Sequence, residues 1–172
     1  MHEIAVTAKV NGKSVSYSCD PATSLLECLR DNLLLKGPKI GCLDGNCGAC
    51  AVILDGRVVN SCLVLGAEAE GREIVTVEGL ESWPGFAALR QAFTEEDGLQ
   101  CGYCTPGIVI AAKALLDRDP DPSPERIRDW LAGNLCRCTG YETIVRAVQS
   151  AASALRGTGD GAGKAVSREV GA

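Results

Sequence analysis

Ten of the 172 residues are cysteine, and the only histidine is His2. No other feature constrains the chain so strongly. A Ser-His-Asp triad, a Cys-His nucleophile pair, a Cys₂His₂ zinc site and a histidine-ligated iron–sulfur centre all need internal histidine and are excluded. Neither Cys-x-x-Cys is followed by His, so c-type haem attachment is excluded too. The run Met1-His2-Glu3-Ile4-Ala5-Val6 lacks the basic and apolar regions of an export signal. We therefore expect a cytoplasmic, reducing setting, where structural disulfides rarely persist. Ten thiols in that setting point to metal or redox chemistry. Net charge is −5 and there is no basic run, which argues against a nucleic-acid partner. The longest apolar stretches, such as 108–112, fall far short of the about 20 residues that span a bilayer.

The first half reads as strands around one helix. Residues 3–10 are β-rich, Asn11-Gly12 is a two-residue hairpin signal, and 13–19 return. A helix follows. Thr23 or Ser24 can cap it, Glu27 stands three residues after Ser24, and Leu25, Leu26, Leu29 and Leu33 share a face. After a glycine-rich loop over 37–50, residues 51–54 and 57–61 flank Asp55-Gly56 as a second hairpin, and 73–78 give a fifth strand. The second half reads as helices. The first covers 86–96, and the second is capped by Thr105 with Pro106 at its first position. The third opens at Ser123-Pro124-Glu125 and runs to Leu131, and the last covers 141–155. Composition changes over 79–85. The expected class is α+β, with a sheet domain over 1–79, a helical domain over 80–155 and a flexible glycine-rich tail over 156–172. With only seven aromatic residues, both cores must rely on Val, Leu, Ile and Ala and would gain from staples.

Cys42, Cys47 and Cys50 stand as C-x₄-C-x₂-C, and Cys62 follows after eleven intervening residues. This is the plant-type [2Fe–2S] spacing. A tight loop supplies three thiolates and a neighbouring hairpin the fourth. Gly41, Gly45 and Gly48 let the backbone wrap close and aim N–H groups at sulfur. Four cysteines also suit structural zinc, but zinc sites usually draw on two short Cys-x₂₋₄-Cys arms. Asp44 precedes Gly45 and reads as a turn residue, since no second acid is placed beside it.

Cys101 and Cys104 form C-x₂-C directly after Gln100, and Cys136 and Cys138 form C-x-C. Each pair precedes an expected helix. If the four helices pack as a small bundle the two loops meet, and helix N-termini favour the negative charge of a thiolate-bound cluster. Taken alone, this set also suits zinc or a thioredoxin-like redox pair. The redox pair would need a strand before it in a βαβ pattern and leaves Cys136 and Cys138 without a role. Cys19 and Cys28 fit neither set and are expected to act as small apolar core residues.

Together the two sets fall in three long motifs. Gly41-Cys42-Leu43-Asp44-Gly45-Asn46-Cys47-Gly48-Ala49-Cys50 comes first, then Gln100-Cys101-Gly102-Tyr103-Cys104-Thr105-Pro106-Gly107, then Gly133-Asn134-Leu135-Cys136-Arg137-Cys138-Thr139-Gly140-Tyr141. In this order they resemble the small iron–sulfur subunit of the molybdenum hydroxylases, the family of xanthine oxidase and aerobic carbon monoxide dehydrogenase. The resemblance covers about residues 3–155 and fills all eight ligand positions. It implies an N-terminal β-grasp, plant-type ferredoxin domain followed by a C-terminal four-helix [2Fe–2S]-binding domain. It implies two clusters: Cys101, Cys104, Cys136 and Cys138 hold the one nearest molybdenum, and Cys42, Cys47, Cys50 and Cys62 the one nearer the flavin. Gln100 and Cys138 match positions that hydrogen-bond the pterin. The implied partners are a large subunit with molybdopterin, in its cytosine dinucleotide form, and a medium subunit with FAD. They would form a heterotrimer or a dimer of heterotrimers. The expected function is to relay single electrons between those two sites as an oxidoreductase subunit. The alternative is a free-standing ferredoxin-type carrier, which leaves the second cysteine set unexplained. The residues of this chain name neither the substrate nor the direction of electron flow.

Overall fold

A computed structural model describes residues 3–157. The tail expected over 156–172 lies outside the described residues except for Arg156 and Gly157, which end the last helix.

Asn11-Gly12 and Asp55-Gly56 all have positive φ, at 51°, 79°, 46° and 78°. Two consecutive left-handed residues make the tight turn whose twist matches paired strands. The first turn joins β1 (Ile4–Val10) to β2 (Lys13–Cys19), with Val10 opposite Lys13 and Ile4 opposite Cys19. The second joins β3 (Ala51–Leu54) to β4 (Arg57–Asn60). The short β5 (Glu73–Val75) lies parallel to β1 and antiparallel to β3. The result is one mixed sheet in the order β2-β1-β5-β3-β4, the β-grasp arrangement expected.

Ser24 caps α1 (Leu25–Glu27), and the capping box is complete: the Glu27 N–H donates to Ser24 Oγ at 3.3 Å and the Ser24 N–H to Glu27 Oε2 at 2.9 Å. The helix expected through residue 33 does not continue regularly. Residues Cys28–Asn32 widen into a π-turn closed by the Leu33 N–H on the Cys28 carbonyl at 3.1 Å. Side chains hold the wide turn from both sides. Asn32 Nδ2 donates to the Ser18 carbonyl at 3.0 Å, and Arg30 donates to the Pro38 carbonyl at 2.7 Å. Leu25, Leu26, Cys28 and Leu29 remain fully buried under the sheet.

Two strands end earlier than expected. β5 stops at Val75 because Asn11 clamps Thr76, accepting its N–H at 2.9 Å and donating to its hydroxyl at 2.9 Å, and a 3₁₀ turn over Val77–Ser82 follows. β4 stops at Asn60, and Ser61 opens the 3₁₀ turn Ser61–Leu63 that carries Cys62.

The helical half comprises α2 (Phe86–Glu95), α3 (Thr105–Leu116), α4 (Pro124–Trp130) and α5 (Glu142–Gly157), with a 3₁₀ turn at Leu131–Gly133. Ser123 caps α4 as expected, accepting from the Arg126 N–H at 3.2 Å. Strand β3 explains how the halves join. Val52 and Leu54 pack with Val6, Val10, Leu29 and Ile74 on one face. Ala51 and Ile53 pack with Phe93, Ile108 and Ala112 on the other. A strand buried on both faces has an unbroken apolar sequence, which is why Ala51-Val52-Ile53-Leu54 does not alternate.

Candidate metal centre

The first loop is held open from below and closed at its base. Arg30 also donates to the Lys36 carbonyl at 3.2 Å, and the Lys39 N–H donates to the Ala49 carbonyl at 2.9 Å. Leu43, Gly45 and Gly48 have φ of 65°, 84° and 66°, which curls the chain around its own sulfurs. The Cys47 N–H donates to Cys42 Sγ at 3.3 Å. A Cβ on Gly41 would stand 2.4 Å from Cys47 Sγ, so the loop closes on sulfur only with glycine there. Asp44 is the turn residue expected, its Oδ1 accepting from the Asn46 N–H at 3.3 Å.

Cys62 arrives from the turn after β4. The Ser61 hydroxyl donates to the Cys50 carbonyl at 2.7 Å, and Asn60 Nδ2 to the Gly45 carbonyl at 2.7 Å. The Cys62 thiol then lies beside that of Cys50, both of them free. Burial first, and this contact second, push it up to about 11. Cys42 is shifted the other way. The Asp44 carboxylate would raise it, but the N–H groups of Asp44 and Cys47 outweigh that and hold the thiol below its ordinary value.

The second set assembles where α3 meets the segment before α5. Cys104 itself caps α3, its carbonyl accepting from the Ile108 N–H at 3.1 Å. Thr105, expected as the cap, is instead the first helical residue, with Pro106 second. Cys138 Sγ lies 3.6 Å from Cys101 Sγ, and the Cys104 thiol lies beside that of Cys136, all four of them free. Burial, followed by Cys136, pushes Cys104 up to about 12. Burial would also raise Cys136. The Thr139 hydroxyl, 3.2 Å from its sulfur, and the N–H groups of Thr139 and Cys138 reverse this and lower it. Gln100 is exposed beside Cys101, and its side chain makes no hydrogen bond among the described residues.

The structure thus brings the eight cysteines together in four pairs. Cys42 meets Cys47, Cys50 meets Cys62, Cys101 meets Cys138 and Cys104 meets Cys136. Among the described residues no three His, Cys, Asp or Glu side chains converge to hold a single metal ion. The donor set fits a two-iron group, in which each iron takes two of four thiolates. Cys19 and Cys28 lie in the core, 5% and 0% exposed, away from both sets.

Several residues that join the two loops, and Tyr141, which braces the second loop from within, have no role assigned by the sequence. The Leu135 N–H donates to the Cys47 carbonyl at 2.9 Å, and Asn134 Nδ2 to the Gly48 carbonyl at 3.1 Å. Tyr103 Oη donates to the Ile40 carbonyl at 2.5 Å. Tyr141 Oη accepts from the Cys136 N–H at 2.9 Å and donates to the Asn134 carbonyl at 3.1 Å. Their one signal in the sequence is position: all lie within three residues of a cysteine in the motifs.

Comparison with known proteins agrees with this geometry. The family model of the 2Fe-2S iron-sulfur cluster binding domain matches residues 8–78, and that of the [2Fe-2S] binding domain matches 76–149. The nicotinate dehydrogenase small FeS subunit of Eubacterium barkeri is 44% identical over 151 residues, covering 88% of this chain and 96% of that protein. The crystal structure of quinoline 2-oxidoreductase from Pseudomonas putida 86 aligns with a TM-score of 0.85 at 42% identity, over 90% of this chain and 96% of that one. The aldehyde oxidoreductase of Desulfovibrio gigas aligns with a TM-score of 0.82 at 42% identity, over 90% of this chain but only 17% of that larger one. Similar identity to proteins named for different substrates fits a chain that transfers electrons while the substrate site lies elsewhere. Two [2Fe–2S]-binding domains in this order, with near full-length identity to such subunits, make the chain a member of the small iron–sulfur subunits of the molybdenum hydroxylases, the electron-transfer part of an oxidoreductase whose catalytic site is on another chain.

Proposed function

We propose that this chain relays single electrons between molybdopterin, held by a large subunit, and FAD, held by a medium subunit. Cys42, Cys47, Cys50 and Cys62 of the sheet domain (1–79) hold one cluster; Cys101, Cys104, Cys136 and Cys138 of the helical domain (80–155) hold the other. When bound, each cluster supplies a one-electron site, the chemistry needed to divide a two-electron oxidation into single transfers. The chain's own part is to bind, shield and connect.

The observation that carries the reading is the hydrogen bond from Leu135 to Cys47. It joins the backbone of a first-set cysteine to the residue next to Cys136, giving a short bonded route between the two sets. Strand β3, which follows the first loop directly, is packed on both faces.

Exposure supports the direction of docking. Cys101 and Cys138 are exposed, whereas Cys50 is buried. We assign the exposed pair to the molybdenum side, with Gln100 and Cys138 bonding the pterin, which we take to be the cytosine dinucleotide form. Exposed Leu99, Tyr103 and Leu135 surround that set, and exposed Leu43 and Leu63 border the other. Exposed apolar groups gathered at two sites suit two protein partners, in a heterotrimer or a dimer of heterotrimers. Among the described residues no helix is long and apolar enough to cross a membrane.

The test is to purify the chain from its host without separating partners, then record metal content and EPR after dithionite reduction. We expect two [2Fe–2S] signals and a co-purifying molybdenum protein. One signal with no molybdenum would favour a free-standing ferredoxin-type carrier.

A further inference from the structure

We propose that the Thr139 hydroxyl sets the reduction potential of the cluster in the helical domain by donating a hydrogen bond to the sulfur of Cys136. This rests on the reading above that Cys136 is a cluster ligand.

The hydroxyl is held so that its proton has one place to go. Thr139 Oγ1 accepts from the Tyr141 N–H at 3.2 Å and lies 3.2 Å from Cys136 Sγ. A hydroxyl has one donor and two acceptor positions. With an acceptor position taken by the amide, the O–H is free to point at sulfur.

The N–H groups of Thr139 and Cys138 also act on this sulfur, and the Thr139 hydroxyl adds the one side-chain O–H donor to them. The Cys136 N–H is already spent on Tyr141 Oη at 2.9 Å. The same tyrosine fixes both ends: its N–H orients the threonine and its hydroxyl occupies the cysteine amide. In the first set the comparable bond to Cys42 Sγ comes from the backbone of Cys47. Among the described residues Thr139 is thus the one hydroxyl side chain that donates to a sulfur of either set.

The physical effect has a definite sign. Reduction adds one electron, and part of the added negative charge falls on the ligand sulfurs. An O–H···S bond strengthens as that charge grows, so it favours the reduced state and raises the potential. No proton is transferred and no bond is broken. Thr139 acts through Cys136 and is therefore a positioning residue.

The test is an EPR-monitored redox titration of the assembled complex, comparing wild type with Thr139→Val and Thr139→Ser. We expect Thr139→Val to lower the potential of one cluster and leave the other unchanged. At fixed applied potential the affected cluster becomes about tenfold more oxidised, equivalent to about 59 mV for a one-electron couple. Thr139→Ser keeps the hydroxyl and is expected to restore the wild-type value. Thr139→Ala, which removes the hydroxyl without adding bulk, reads the same quantity if the valine variant fails to load its cluster. Two unchanged potentials in any loaded variant lacking the hydroxyl would overturn the proposal. So would failure of both such variants to load, since the hydroxyl would then serve assembly. The ligand reading is tested separately by Cys136→Ser: it fails if that variant keeps both cluster signals, whatever Thr139 does.

Discussion

A thiol that binds iron and a thiol that fills a core differ in what surrounds the sulfur. Cys28 is fully buried and meets Cys19; a Cβ on Gly66 would stand 2.4 Å from its sulfur. Burial first, and Cys19 second, push Cys28 from an ordinary 9.0 up to about 12. A thiol whose folded value is raised contributes stability that is complete below its unfolded value and is lost as pH rises through the folded one. We therefore expect the contribution of Cys28 to be flat below pH 9 and to fall between 9 and 12. For one proton the slope is at most about 1.4 kcal/mol per pH unit. Urea unfolding over a pH series measures it, and Cys28→Ala should flatten that limb. The core role of Cys19 and Cys28 was legible in the sequence because one falls on an apolar helix face and the other ends a strand. The roles of Asn134 and Tyr141 were not. Asn134 bonds a carbonyl 86 residues away, and nothing local to an asparagine announces such a partner.

Turns and caps are written locally, and element ends often are not. Both hairpins and the Ser24 and Ser123 caps follow from two to four adjacent residues, so the sequence was enough to find them. The early end of β5 depends on Asn11, and the π-turn after α1 on bonds to Ser18 and Pro38, so neither was visible. The seat of α3 is likewise non-local. Gly107, in its first turn, lies against Gly48 of the first cysteine loop, and a Cβ there would come within 2.3 Å of the Gly48 carbonyl oxygen. That contact is to backbone and has no flexible end to yield. Gly107→Ala is expected to destabilise the protein by about 1–3 kcal/mol, the usual cost of overpacking. Denaturant unfolding measures the loss. Because the clash falls between the two cysteine loops, the variant should also perturb the EPR signals of both clusters, which a substitution remote from the loops would not do.

Across the whole molecule, the two halves share one strand and meet through the two cysteine loops. The cysteine spacing marked Cys42, Cys47 and Cys50 as one loop and set Cys101-x₂-Cys104 and Cys136-x-Cys138 apart as two short pairs, while the grouping of the latter four into a second ligand set came from the resemblance of the three motifs. How the sets approach each other was not legible, since it depends on β3 being buried on both faces and on the bond from Leu135 to Cys47. Leu135→Pro removes that N–H. Asn134, with φ −117° and ψ 105°, already has the extended conformation that a following proline requires. We expect both clusters to load while electron transfer between them slows severalfold, measured by freeze-quench EPR after rapid reduction. The central claim, that eight cysteines form two separate four-thiolate sites, is tested most directly by the EPR spectrum of the dithionite-reduced complex carrying Cys136→Ser. Loss of one [2Fe–2S] signal, with the other intact on a folded sheet domain, is the expected result. Retention of both signals would contradict it.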